Sequence, residues 1–427
     1  MKNYKTLMLG SVATSALLLG AAAVTTPAVA KNVEVGHKKG KFYLKTKDGK
    51  FSIIPSAQFQ MKYEFQDNDD EKTGADNNSE TGFSARRVRF GVGGRAGHKK
   101  LTYKMTMNVT TNSEADQDGD GGGFAIFDSY LQWKFSKALA LRAGTWKQRL
   151  TESHSNSSGK LQFVDRARGT GNRGRLERDT GLGIRGKVAK MLNYELSIIN
   201  GNTRKAPAAN GNQSYHAHLR VEPFGSFGAP YEGDIKNSKK LKVQVAGAVA
   251  YKDNVTFSTR TNQNTFISVA GAADIFHWTV GAGMKWRGFG LYGEFVQADF
   301  RDADSKAGST TKIARERLRA WNVEASYFLI PKKWAIAGRW EYHNINTKSN
   351  PGGSGGAGGT AVTQANGGAN QDETRFGIAT SYYFRGHAHR ITADWIQIQD
   401  PDGATDSTGA TTQSEDNRFR IQWQTRF

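Results

Sequence analysis

Alternation of apolar and polar residues, repeated through nearly the whole chain, constrains the fold more than any single motif. From Leu101 to Thr110, Leu101, Tyr103, Met105, Met107 and Val109 share one face of an extended chain, and Thr102, Lys104, Thr106, Asn108 and Thr110 share the other. The last segment sets Phe419, Ile421, Trp423 and Phe427 against Arg418, Arg420, Gln422, Gln424 and Arg426. A period of two marks strands whose two faces meet different surroundings. Sixteen such segments begin near Ala57, Phe83, Leu101, Ala125, Leu139, Thr180, Leu192, Gln213, Leu241, Phe276, Phe289, Ala320, Trp334, Arg375, Arg390 and Asn417. Their connections alternate in length, long at 67–81, 111–123, 150–179, 302–318, 344–373 and 401–416, and short at 94–100, 136–138, 189–191, 287–288, 331–333 and 386–389. That rhythm predicts a sixteen-stranded antiparallel transmembrane β-barrel with short periplasmic turns and long outer loops. One supposed periplasmic turn departs from it, since 222–240 is long and holds Pro223 and Pro230. A water-soluble sandwich also alternates, but it gives no reason for loop lengths to do so.

Composition agrees. With 37% hydrophobic residues and 49 glycines the chain is too polar for a large soluble core, yet 11% aromatic residues is too many for disorder. A barrel that is apolar outside and wet inside resolves the conflict. The absence of cysteine excludes a disulfide framework and suits an oxidising compartment. Residues 1–30 read as a secretory signal, with Lys2 and Lys5, an apolar stretch from Leu7 to Val24, and Ala28-Val29-Ala30 as the cleavage site. The expected organisation is a signal peptide at 1–30, a short periplasmic segment at 31–50 and a barrel at 51–427, in the bacterial outer membrane. Beyond the signal, no apolar run approaches the roughly 18 residues a spanning helix needs. Trp133, Phe135, Trp146, Trp334, Tyr342, Tyr382, Phe384 and Phe427 fall near segment ends, where aromatic girdles meet the membrane interfaces.

The third long connection, Trp146 to Arg178, follows the fifth strand and is strongly basic. Lys147, Arg149, Lys160, Arg166, Arg168, Arg173, Arg175 and Arg178 face Glu152, Asp165 and Glu177, so eight cations minus three anions leave +5. The lumen of a barrel this wide is not closed by strand side chains, so an inward-folded loop must set the constriction. Arg and Lys rings are the filter of anion pores, and cations attract anions more strongly where water is thinned. The first candidates for anion binding are Lys147, Arg149, Lys160, Arg166 and Arg168, because Arg173 to Arg178 must return to the next strand. A supporting ladder is expected on the lumen wall from Arg87, Arg89, Lys104, Arg142, Arg185, Arg220 and Arg339. Lys187, Lys242, Lys285, Arg390, Arg418, Arg420 and Arg426 extend it. The competing reading of each is a wall charge paired with a carboxylate such as Asp128, Glu294, Glu324, Glu341 or Asp394.

Other motifs are weaker. Asp116 to Gly121 opens like a calcium loop, but its twelfth position is Phe127 rather than Glu. His216 with His218, and His387 with His389, lack a third metal ligand. The glycine run 352–359 lacks the Gly-Lys-Ser/Thr of a phosphate loop, and no nucleophile elbow is present. No metal, cofactor or catalytic residue is expected.

Several strings, in order, resemble the phosphate-selective porins O and P of bacterial outer membranes. Phe42 to Phe51 is similar to that family's opening strand, and Arg86 to Val92 to its arginine-rich second strand. Asp128-Ser129-Tyr130-Leu131, Leu141 to Lys147, Asp165-Arg166-Ala167, Arg178-Asp179-Thr180-Gly181, Tyr327-Phe328-Leu329 before Pro331, and then Arg339 follow. The resemblance spans roughly Gly40 to Phe427. It implies a passive trimeric channel whose third outer loop folds inward and whose basic residues conduct small anions such as phosphate. One departure is Lys147-Gln148-Arg149, which lacks the proline expected after Trp146. Alternatives are a less selective diffusion porin and a barrel enzyme carrying a Ser or Asp/His group on its wall. A secreted basic protein that binds nucleic acid is a third class, suggested by the pI of 9.8.

Overall fold

Each alternating segment places its apolar face outward. The computed structural model describes residues 32–38, 40–69, 79–110, 123–173, 176, 178–201, 213–257, 271–301, 316–347, 371–405 and 411–427. The expected signal peptide, the calcium-like stretch 116–121 and the glycine run 352–359 lie outside them. A hairpin of β1 (Val33–Lys38) and β2 (Lys41–Thr46) precedes sixteen longer strands. These are β3 (Ser52–Asp69), β4 (Glu80–Arg95), β5 (Leu101–Thr110), β6 (Gly123–Lys134), β7 (Ala140–Lys147), β8 (Arg178–Val188), β9 (Leu192–Ile199) and β10 (Ser214–Val221). They continue as β11 (Lys242–Phe257), β12 (Gly271–Trp286), β13 (Phe289–Arg301), β14 (Glu316–Ile330), β15 (Trp334–Thr347), β16 (Gln371–Tyr383), β17 (His389–Thr405) and β18 (Thr411–Arg426). Each pairs antiparallel with the next, and β18 pairs back on β3 from Glu415↔Asp69 to Arg426↔Gln58, which closes the barrel. Closure matters because a strand edge in lipid would leave its N–H and C=O groups without partners.

All sixteen predicted segments correspond to barrel strands. On β18, Trp423 is 56% exposed to the surroundings while Gln422 and Gln424 are buried in the lumen. This reverses the soluble arrangement, as lipid contact requires. No helix among the described residues is long and apolar enough to cross a membrane.

Two segments fold into the lumen. The loop after β7 carries helix α1 (Glu152–Ser155) and helical turns at Ser158–Lys160 and Arg168–Arg173. The connection between β10 and β11 carries a turn at Pro230–Glu232. Small residues on the inner wall make room for them. Leu150 and Leu176 pack on Ala248, Ala250, Val296 and Ala320, while Phe163 packs on Ala337 and Ala379. Leu161, Phe227, Tyr231 and Tyr292 join the two inserted segments.

Two expectations are corrected. Phe42 to Phe51, expected as the opening strand, forms β2 and the turn after it. Asp48 stabilises that turn by accepting from the Lys50 N–H at 2.9 Å, and β2 meets β3 only at Leu44↔Ile53 and Lys45↔Ser52. Trp146, expected in an aromatic girdle, is 2% exposed inside the lumen, and its Nε1 donates to Glu195 at 3.1 Å.

Candidate functional site

A loop buried inside a barrel needs a partner for every backbone polar group it brings along. The wall from β13 to β18 supplies them. Glu294 accepts from the Glu152 and Ser153 N–H groups, Asp394 from Val164 N–H at 2.9 Å, and Glu341 from Arg168 N–H. Arg426 and Gln424 each donate to the Gly159 carbonyl at 3.1 Å, and Arg390 donates to that of Leu161. Thr151 caps α1 by accepting from His154 N–H at 3.2 Å.

Two loop carboxylates fix its position. Glu152 accepts from Arg220 and from His218 at 2.9 Å. Burial would raise its carboxyl, but Arg220, His218 and Arg149 hold it at about 2. Asp165 meets Arg86 at 3.2 Å, Arg87 at 2.8 Å and Arg420 at 3.0 Å. Arg86 and Arg87 are adjacent, so strict alternation would send one of them into lipid. A β-bulge on β4, opposite the step from Gln60 to Lys62, brings both inward.

The loop packs mainly on β13 to β18 and reaches β3, β4 and β10 through single side chains, and open space is left beside β3 to β8. A cavity of about 940 Å³ is lined there by twelve Lys or Arg residues and by one acid, Asp128. A neighbouring space of about 920 Å³ shares Lys41, Lys104, Arg142 and Arg185 with it and has seven Lys or Arg and no Asp or Glu in its lining.

At the cavity wall, three lining guanidiniums surround Glu195, a buried carboxylate behind the lining. Arg185 lies 3.5 Å and Arg149 3.9 Å from Glu195, and Arg142 stands over Tyr130 at 4.1 Å and Trp146 at 5.6 Å. Burial and the neighbouring Arg185 press the Arg149 guanidinium below its usual range, a mark of crowded positive charge. Asp128 takes Lys104 at 2.6 Å and Arg178 at 3.1 Å, and Arg89 and Arg178 both stand over the Phe127 ring, at 4.6 and 4.2 Å.

The candidates therefore divide. Lys147 at the end of β7, Arg149, Lys160 and Arg166 of the loop, and Arg89, Lys104, Arg142 and Arg185 of the wall, line the cavity, as does Arg426. Arg168 does not line it and lies 3.8 Å from Glu373 of β16. Arg87, Arg220 and Arg339 also point inward but grip the loop. Arg339 donates to the Asp165 carbonyl at 2.9 Å and covers Phe163. Lys41 and Arg385 line the cavity without having been singled out, and Arg178, set aside because it must return to the next strand, lines it as well. Alternation on β8 gives no signal for Arg178, which has the opposite parity to the inward Arg185.

The His216 and His218 pair holds the inserted loop. His216 Nε2 contacts the Arg149 carbonyl and His218 meets Glu152. No group of three or more potential metal ligands occurs among the described residues.

Comparison with known proteins places this geometry. The model of the family described as phosphate-selective porin O and P matches residues 56–427. No curated protein sequence matches significantly. Among solved structures, OmpT, an outer membrane protein of Vibrio cholerae, superposes with a TM-score of 0.53 at 14% identity, over 88% of this chain and 98% of that one. The outer membrane channel DcaP of Acinetobacter baumannii gives a TM-score of 0.54 at 10% identity, over 90% of this chain and 99% of that one. These two likenesses concern the fold, whereas the family match covers most of the sequence and every strand of the barrel. The chain belongs to the phosphate-selective porin O and P family and is an outer-membrane porin channel.

Proposed function

We propose that this porin passes small anions, phosphate among them, down their gradient through the basic cavity between the inserted loop and β3 to β8. The observation that carries this reading is the lining of twelve cations against one carboxylate. Arginine forks match two oxygens of a phosphate, while lysine offers a point charge, so a mixed row holds an anion briefly and lets it move on. The neutral acceptors already on these arginines help. Arg142 donates to Gln132 at 2.9 Å and Arg89 to Asn108 at 3.0 Å. These amide acceptors orient the forks and bring no charge of their own.

Reconstitution in a planar bilayer tests the reading. Under a tenfold KCl gradient the zero-current potential should carry the sign of chloride permeation, and added phosphate should block chloride current. A potential of the cation sign overturns the proposal. A less selective diffusion porin is the second reading, favoured by a cavity volume of about 940 Å³, far larger than one orthophosphate. In that case the potential keeps its anion sign and phosphate does not block.

Family membership supports a trimer, which unheated electrophoresis of detergent-extracted protein would reveal. Export through cleavage after Ala30 belongs to the same reading, with Lys31 as the expected N-terminus of protein taken from outer membranes.

A further inference from the structure

The described periplasmic connections are short except the one from Glu222 to Leu241, and its length is used inside the barrel. Both ends are fastened. Glu222 takes Lys187 at 3.0 Å and Asn193 at 3.1 Å, and Asp234 accepts from Ser238 N–H at 2.7 Å and Gly288 N–H at 2.9 Å. Between them Tyr231 is buried against Tyr292 and hydrogen-bonds to Asn322 at 3.2 Å. The glycines either side of the tip have left-handed φ values of +85° at Gly228 and +62° at Gly233. A Cβ at Gly228 would stand 2.5 Å from the Glu232 carboxylate, and one at Gly233 would stand 2.4 Å from Gln162. The tip is shaped to bring Glu232 against the inserted loop.

Glu232 is 4% exposed and does not line the cavity, yet its Oε2 lies 3.0 Å from Lys160 Nζ, which does. Lys285 stands 3.7 Å away and His387 3.5 Å away, while the Glu232 carbonyl accepts from Gln162 Nε2 at 2.7 Å. A hidden carboxylate thus holds a cation whose side chain is 39% exposed at the cavity wall. An anion that binds Lys160 must compete with that carboxylate.

We propose that the 222–241 connection backs the inserted loop from outside the cavity lining, and that Glu232 at its tip sets how strongly Lys160 binds a passing anion. This rests on the anion reading of the cavity and assigns a tuning role to a segment entering from the periplasmic side. With Glu232 present, Lys160 offers a partly neutralised, weak site suited to throughput. Without it, Lys160 becomes a full positive charge and a trap.

The test is phosphate block of chloride current through single channels of four proteins, the unaltered chain, Glu232→Gln, Lys160→Gln and the double variant. Glu232→Gln should tighten block by about fivefold, the order set by a half-exposed ion pair. Lys160→Gln should weaken it, and in that background Glu232→Gln should change nothing. Unchanged block in Glu232→Gln, or an equal change in both backgrounds, overturns the proposal. If Glu232→Gln fails to assemble, Glu232→Asp keeps the charge but shortens its reach, and it should shift block in the same direction by less. No shift there also overturns it. Cation preference in the unaltered channel would instead overturn the anion reading itself.

Discussion

At Asp165 one carboxylate faces three guanidiniums, so its removal takes from the inserted loop an anchor shared by β4 and β18. Burial alone would raise its carboxyl, but Arg86, Arg87, Arg420 and Lys62 hold it well below the usual range. Truncating one partner of a buried ion pair costs about 3–5 kcal/mol, because the other partner is left charged. The barrel closes through β3 and β18 without the loop, so the cost of Asp165→Asn should appear as loop release. Single-channel conductance should become larger and noisier while the heat-dependent gel mobility of the barrel is kept; unchanged conductance would show that the loop is held elsewhere. The pH dependence has a definite sign. Asp165 and Glu152 are both depressed in the folded state, so their contribution is complete above their unfolded values near 4 and fades as pH falls through the folded ones, about 2 for Glu152. Conductance should stay level from pH 7 to about 4.5 and rise below that. A rise already at pH 6 would trace to a histidine. Alternation revealed that Arg89, Lys104, Arg142 and Arg185 face the lumen. It did not reveal which inward cations are tied to acids, because Arg420 and Asp165 lie 255 residues apart and Arg87 and Asp165 lie 78 apart.

At the scale of elements, lipid imposes a period of two on every crossing strand, which is why all sixteen were legible without a structure. The same rule would have corrected Trp146, since it shares parity with the inward Arg142 on β7. Its place at a strand end suggested an interface, but the strand's phase decides the face. That β2 pairs with β1 as a hairpin ahead of the barrel was not legible, for a physical reason. Its strands are six residues each, too short for a period of two to stand out. The inward path of 222–241 was visible only as an anomaly of length, because the contacts that fold it run to Glu294, Asn322 and Lys160 from far along the chain. The hairpin leads to a prediction. It meets β3 at only two residue pairs, so deleting residues 33–50 should leave a barrel that assembles and shows heat-dependent mobility on gels. Lys41 and Lys45 line the space beside the cavity, and their loss should reduce the zero-current potential without reversing it. Failure to assemble would show instead that the hairpin helps to close the sheet.

For the whole molecule, 59 Lys and Arg against 39 Asp and Glu leave a formal charge of +20, but the sum matters less than its placement. Glu152, Glu232, Glu294 and Asp394 are buried around the inserted loop, whereas the open side is lined by twelve cations and one acid. Charge arranged in this way acts over two ranges. The field of the basic wall draws anions from a distance and is screened by salt, with a Debye length of about 10 Å at 0.1 M and about 3 Å at 1 M. Direct ligation by a guanidinium fork works at contact and is screened far less. The two ranges separate experimentally. Anion-over-cation permeability from zero-current potentials should fall steeply as the mean KCl concentration is raised from 0.1 to 1 M. Phosphate block, measured against chloride at each concentration, should weaken only as far as chloride competes for the same sites. If block fades in step with selectivity, the basic wall steers anions without binding them, and the channel is a diffusion porin with a charged lining. If block persists where selectivity has been screened away, the cluster of Arg142, Arg149 and Arg185 around Glu195 is where the contact is made.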